Sequence, residues 1–185
     1  MNLQKTWLNN SKVNNIANRL TAALFIIYLI ALYWILLFKL GVRFSYMENR
    51  NLNLIPFSEL LILHGKIDVS EIVLNVVVFV PLGIYAGILF ERWNFGIKLF
   101  FFFLMSSIIE GLQFILAVGI FDTTDIITNT LGGIIGLLIF KAVEKAFNSS
   151  LKAQKFINII ATIGTVFIIL LLLLLKLNML PVRYQ

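Results

Sequence analysis

Five long runs of apolar residues dominate this sequence, and each is close to the length needed to cross a bilayer. The hydrocarbon core of a membrane is about 30 Å thick, which a helix of roughly 20 residues spans. Backbone polar groups in that core must be satisfied within the segment, so each run is expected to be helical. The predicted spans are Leu20–Phe38, Val69–Phe90, Ile97–Ala117, Ile126–Val143 and Phe156–Leu175. The sequence therefore predicts an all-α, polytopic transmembrane helix bundle of about five spans.

The segments between these runs predict the domain organisation. Residues 1–19 are polar and form a predicted cytoplasmic segment, and residues 20–143 form a four-span membrane domain with an extracytoplasmic loop at 39–68. A basic cytoplasmic loop is predicted at 144–155, and residues 156–185 hold the fifth span and a short C-terminal tail. The chain is 60% hydrophobic and only 13% charged, whereas soluble domains are about 25% charged. A separate soluble domain is therefore not expected.

The distribution of Lys and Arg predicts the orientation, because cytoplasmic loops are enriched in both residues. With a cytoplasmic N-terminus, nine of the 15 basic residues lie in inside segments and six in outside segments. The contrast is sharpest around the fourth span, where Val118–Asp125 has no basic residue and Lys141–Lys155 has four. We therefore expect a multi-pass protein of the cell membrane, with a cytoplasmic N-terminus and an extracytoplasmic C-terminus.

The composition also excludes several kinds of site and partner. The sequence has no Cys and a single His, His64, so it offers neither thiolate ligands nor a multi-histidine metal site. The formal net charge of +6 is explained by basic residues in the loops, and no basic stripe suited to nucleic acid is present. We expect no metal, no cofactor and no nucleic-acid partner, and the expected partners are membrane lipids.

Six polar or acidic residues fall at one depth, in the outer leaflet, under this orientation. They are Asn75, Glu110, Gln113, Asp122, Asp125 and Asn129. Ser106, Glu110 and Gln113 follow an i, i+4, i+7 spacing and so share one helix face. A carboxylate in lipid costs several kcal/mol unless it faces the bundle interior or water. Glu110 is therefore expected to point inward, toward Asn75 or Asn129, and the six residues form a candidate binding pocket.

A purely structural interpretation of some of these residues is also open. Asn75, Gln113 and Asn129 could act only as interhelical hydrogen-bonding groups, and Asp122 could be a helix N-cap. Gly132 and Gly136 follow the same stripe as the acidic residues and form a small-xxx-small pattern. We interpret these two glycines as a helix-packing seam.

Four motifs in order resemble the VanZ-like family of small membrane proteins, over roughly Leu20–Phe140. They are Asn53–Phe57 (NLIPF), Asn75–Gly83 (NVVVFVPLG), Glu110–Gln113 (EGLQ) and Phe121–Gly136 (FDTTDIITNTLGGIIG). Thr124 stands where many relatives carry a further acidic residue, and 118–120 lacks the Arg that some relatives have there. The resemblance implies a role in the bacterial cell envelope, because the founding member is associated with low-level resistance to the glycopeptide teicoplanin.

Three functions fit these residues. The first is a non-enzymatic envelope protein that binds a lipid-linked cell-wall precursor or a lipophilic glycopeptide in the outer pocket. The second is a membrane enzyme acting on such a lipid, with Glu110 as general base and Asp122 or Asp125 assisting. The third is a small transporter in which Glu110 carries a proton. The inner halves of the second to fourth spans hold few polar residues, which favours binding over transport.

Overall fold

The structure, a computed structural model, describes residues 2–38, 52–57 and 69–176, which form five long helices and two very short strands. The helices are α1 (Asn2–Phe38), α2 (Val69–Leu89), α3 (Phe95–Ile115), α4 (Thr123–Phe147) and α5 (Ser150–Lys176). The strands are β1 (Leu52–Asn53) and β2 (Phe121–Asp122), which pair in parallel. Each helix contains a segment long and apolar enough to cross a membrane. The prediction of an all-α, multi-pass membrane protein with five spans is confirmed.

The helices extend beyond the apolar runs that revealed them. Within the predicted loop 144–155 only Asn148 and Ser149 are not helical. Asn148 ends α4 in the left-handed conformation, with a φ of 46°, which Asn tolerates better than most residues. The Ser149 carbonyl accepts a hydrogen bond from Ala153 N at 3.0 Å. Lys and Glu are good helix formers, so the charge that ends a membrane span does not end a helix.

Two other predicted segments are described only in part by the structure. The polar segment 1–19 is helical from Asn2 and belongs to α1. Of the predicted loop 39–68, the described residues are 52–57, and His64 lies outside them.

Helices α2 and α4 form the most extensive contact in the bundle. A side chain added at Gly132 would overlap the carbonyl oxygen of Val76, and one at Gly136 would overlap that of Val80. On the other helix, a side chain at Gly83 would overlap the carbonyl oxygen of Gly133. The two backbones are therefore in direct contact along this seam, as small residues permit in membranes.

The apolar core lies in the middle of the bundle and separates its two ends. Phe79, Leu82, Phe102, Ile109 and Leu137 are buried there in one cluster. One end, called the β1–β2 end, contains the strands and the start of α4. The opposite end contains the connection between α2 and α3 and the start of α5.

The predicted orientation can be tested by cysteine labelling, since the chain has no background thiol. Ile55, at the β1–β2 end, is 68% exposed, and Lys145, at the opposite end, is also exposed. A membrane-impermeant maleimide should label Ile55→Cys in intact cells and Lys145→Cys only after the membrane is permeabilised. Labelling of Lys145→Cys in intact cells would show that the orientation is the reverse of the predicted one.

Candidate functional site

Asp122 is the residue that begins α4 and joins it to β1. It is the N-cap of α4, and its Oδ1 accepts a hydrogen bond from Thr124 N at 2.7 Å. Its Oδ2 accepts another from Asn53 Nδ2 at 3.0 Å. Asp122 is therefore an N-cap, as the structural interpretation holds, and its second oxygen also holds the loop that carries β1.

The motif containing Asn53 is fixed on the start of α4 by two further hydrogen bonds. Thr123 Oγ1 donates to Asn53 O at 3.1 Å, and Thr124 Oγ1 accepts from Phe57 N at 2.9 Å. A carboxylate at position 124 could accept the same hydrogen bond, so Thr124 retains the acceptor that an acidic residue would provide there. The two motifs thus form one structural unit at the β1–β2 end.

Glu110 is buried under this unit. Its side chain is 2% exposed, and its Oε2 accepts a hydrogen bond from Asp122 N at 3.0 Å. Of the two neighbours expected for it, Asn75 shares a cavity with Glu110, whereas Asn129 donates its Nδ2 hydrogen to Ser106 Oγ at 2.9 Å. The carboxylate thus faces the bundle interior, which is where a charged group in a membrane protein is tolerated.

A small cavity of about 130 Å³ lies beside Glu110. Its polar lining comes from three helices and comprises Glu71, Asn75, Glu110, Gln113 and Asp125, and its apolar lining comprises Ile35, Leu36 and Leu74. Asn75 Nδ2 donates to Asp125 Oδ1 at 2.7 Å, which joins α2 to α4. Gln113 Nε2 donates to Leu36 O at 2.9 Å, which joins α3 to α1. Four of the six predicted pocket residues therefore line one cavity.

The other two predicted residues lie next to the cavity and do not line it. Asp122 contacts it through the hydrogen bond to Glu110. Asn129 lies one helical turn after Asp125, is 1% exposed, and its Oδ1 has no hydrogen-bond partner within the described residues. Leaving this acceptor unpaired costs about 1–3 kcal/mol. The burial of Asn129 and its hydrogen bond to Ser106 place it in the packed interior between α3 and α4.

Sequence reasoning missed Glu71 as a residue of this cavity. Glu71 lies in the first turn of α2, four residues before Asn75, so the two share a helix face. That spacing could have identified it.

Among the described residues no group of His, Cys, Asp or Glu is suited to hold a metal ion. The chemistry available is hydrogen bonding by carboxylates and amides, and ion pairing and proton exchange by the carboxylates.

A second polar cluster, also missed, joins α1 to α5 at the opposite end. Gln154 Nε2 donates to Asn18 Oδ1 at 2.9 Å and to Thr21 Oγ1 at 2.8 Å. Asn158 Nδ2 donates to Ala17 O at 3.2 Å. The i, i+4 spacing of Gln154 and Asn158 within an apolar helix is the signal that could have revealed it. This cluster attaches the fifth span to the rest of the bundle.

Comparison with known proteins gives one family and one curated relative. The VanZ/LLP1 family model matches residues 25–147, which cover most of the first span, the second to fourth spans and both short strands. The relative is Protein VanZ from Enterococcus faecium, 34% identical over 157 residues, which cover 83% of this chain and 91% of that protein. No solved structure matches.

Proposed function

The chain belongs to the VanZ/LLP1 family, and from that premise we propose that it binds an amphiphilic envelope ligand in the outer-leaflet pocket. The ligand is a lipid-linked cell-wall precursor or a lipophilic glycopeptide. Binding would contribute to glycopeptide resistance of the teicoplanin type. The observation that carries the proposal is the convergence of Asn75, Glu110, Gln113 and Asp125 from three helices on one cavity.

The size of the cavity limits how the ligand would bind. Sites that enclose a whole small molecule measure about 300–1,000 Å³, whereas this cavity measures about 130 Å³. It is large enough for one polar group of a ligand, or for about four water molecules at roughly 30 Å³ each. The ligand would therefore insert one group beside Glu110 and leave its remaining atoms at the outer surface of the membrane.

The core on the inner side of the cavity favours binding over transport. Following α2 inward from the pocket, the next buried side chains are Phe79 and Leu82. On α3 and α4 the buried polar side chains Ser106, Thr128 and Asn129 come first, and the apolar Phe102 and Leu137 follow. A proton or solute pathway across the bundle requires polar groups or water at this depth. The described core is apolar there, which supports a pocket closed toward the cytoplasm.

An enzymatic function remains the alternative for the same pocket. A general base must lie within hydrogen-bonding distance of the substrate or of a bridging water. Glu110 lines the cavity and meets this requirement for any group that enters it. Binding and catalysis would both depend on the carboxylate, so one substitution tests the site for either function.

Glu110→Gln should abolish the resistance phenotype while leaving the protein folded in the membrane. The Gln oxygen can still accept the hydrogen bond from Asp122 N, so the loss of stability should be about 1 kcal/mol or less. The measurement pairs membrane abundance with teicoplanin susceptibility in cells that depend on this chain for protection. Glu144→Gln, at the opposite end of α4, is the matched control and should retain protection.

Two results would contradict the proposal. Full protection by Glu110→Gln at normal abundance would show that the carboxylate is not part of the working site. Loss of abundance in Glu110→Gln alone would assign Glu110 to folding instead.

A further inference from the structure

A second cleft, of about 630 Å³, lies at the opposite end of the bundle from the candidate pocket. Arg19 of α1 and Arg92 of the connection between α2 and α3 both line it, and Ser150, the first residue of α5, lines its third side. We call this the arginine cleft. The charge distribution predicts that it faces the cytoplasmic surface, and nothing in the proposed function uses it.

The lining of the arginine cleft changes from polar to apolar along its depth. Ala22 lies about one turn after Arg19 along α1, and Ile88 and Leu89 precede Arg92, so these apolar residues lie on the side toward the middle of the bundle. Trp93 also lines the cleft and stacks on Phe90, with ring centroids 4.3 Å apart. Trp is enriched at the boundary between lipid and water. The cleft therefore lies at headgroup level, and its lining suits an amphiphile.

The charges of the cleft favour an anion. Two guanidinium groups line it, against one carboxylate, that of Glu91. The start of α5 adds backbone N–H groups and the positive end of a 27-residue helix. A guanidinium group presents parallel donors that match the oxygens of a phosphate. A phosphate placed between Arg19 and Arg92 would receive charge-assisted hydrogen bonds from two separate elements.

One wall of the cleft is held rigidly, which lowers the cost of ordering it around a ligand. Gln154 lines the cleft and is 6% exposed, and its amide nitrogen is hydrogen-bonded to both Asn18 and Thr21. These bonds fix α5 against α1 on the side where Arg19 lies. The volume also lies within the range of about 300–1,000 Å³ that is usual for small-molecule sites.

We propose that the arginine cleft binds the phosphate headgroup of an anionic phospholipid from the surrounding leaflet, with an acyl chain lying along its apolar part. A basic pocket between spans is a known form of lipid site. The geometry here adds two arginines on different elements and apolar lining residues on the side toward the middle of the bundle. The ligand is a lipid of the membrane itself, distinct from the amphiphile proposed for the outer pocket.

Trp93 provides a direct probe of this site. In the full chain carrying Trp7→Phe and Trp34→Phe, Trp93 is the remaining Trp. This protein is reconstituted in phosphatidylcholine vesicles that contain a small fraction of a lipid with brominated acyl chains, which quench Trp on contact. The brominated lipid is phosphatidylglycerol in one sample and phosphatidylcholine in the other. Brominated phosphatidylglycerol should quench Trp93 more strongly, with a relative affinity about tenfold higher, the scale of one or two exposed charge-assisted hydrogen bonds.

Three variants separate the site from general surface charge. The double variant Arg19→Gln with Arg92→Gln should reduce the affinity for phosphatidylglycerol relative to phosphatidylcholine to about one. Lys145→Gln with Lys152→Gln removes two charges at the same end that do not line the cleft, and should leave the preference unchanged. Glu91→Gln removes the carboxylate from the lining and should strengthen the preference about twofold to threefold.

The proposal is overturned if the arginine and lysine variants lose the preference equally, because the effect is then general surface charge. It is also overturned if the arginine variant keeps the preference, or if excess inorganic phosphate abolishes it, since the site would then be one for free anions. Should the arginine variant fail to fold, Glu91→Gln still decides: no increase in its preference overturns the assignment.

Discussion

Replacing Gly136 with Leu should destabilise the bundle by about 3 kcal/mol or more, at the upper end of the effects of overpacking. A side chain at this position would overlap the carbonyl oxygen of Val80 and lie within 3.0 Å of Gly83 Cα and Ile84 N. All three are backbone atoms of α2, so rotation of a side chain cannot relieve the overlap. The two helices would have to separate along the seam that holds the candidate pocket together.

Two other glycines provide graded controls for a melting experiment in detergent. A side chain at Gly87 would meet the ring of Phe140, which can rotate, so Gly87→Leu should cost less, about 1–2 kcal/mol. Gly164 in α5 has no atom within 4 Å of an added Cβ. Gly164→Leu should therefore be neutral or stabilising by up to about 1 kcal/mol, because Leu favours helix. Equal melting temperatures for Gly136→Leu and Gly164→Leu would refute the packing seam.

Phe102→Ala should lower the free energy of unfolding by roughly 2–4 kcal/mol. Phe102 is fully buried, and its ring lies against Gly133, where an added Cβ would be 2.6 Å from two ring atoms. In water-soluble cores Phe→Ala costs about 3–5 kcal/mol, part of which is transfer of the ring from water. That part is smaller in a membrane, since the lipid is also apolar, but the packing loss remains.

Phe100→Ala is the matched control for this experiment. Phe100 lies two residues away on the same helix and is 62% exposed, so its ring faces the lipid. Its removal should change the unfolding free energy by about 0.5 kcal/mol or less, as measured by denaturation in mixed detergent. Similar losses for the two variants would mean that α3 does not pack on α4 through Phe102.

The sequence predicted the candidate pocket through two independent constraints. A residue such as Glu110 cannot face lipid at low cost, so its burial could be inferred without a structure. The orientation of successive spans then placed Asn75, Gln113 and Asp125 at the same depth. Glu71 was missed because it lies at the end of an apolar run, where a charged residue is unremarkable. The spacing to Asn75, considered alone, would have placed it on the correct face.

The hydrogen-bond partners could not be predicted, because they depend on where a loop returns to the bundle. The parallel pairing of Asn53 with Asp122 joins residues 69 positions apart in the chain. Periodicity reports which face of one helix is buried but carries no information about such pairings. For the same reason the sequence did not show that Asn129 contacts Ser106 while Glu110 accepts from Asp122 N.

The sequence by itself determined the surroundings of each segment: whether its residues face lipid, the interior of the bundle or the aqueous surface. That information is local, because the cost of moving a side chain between water and lipid depends on the side chain itself. Only the tertiary structure decided the partners, from the backbone contact at Gly136 to the attachment of α5 through Gln154. Those contacts depend on shape at the scale of single atoms, which is fixed only when all the helices are packed together.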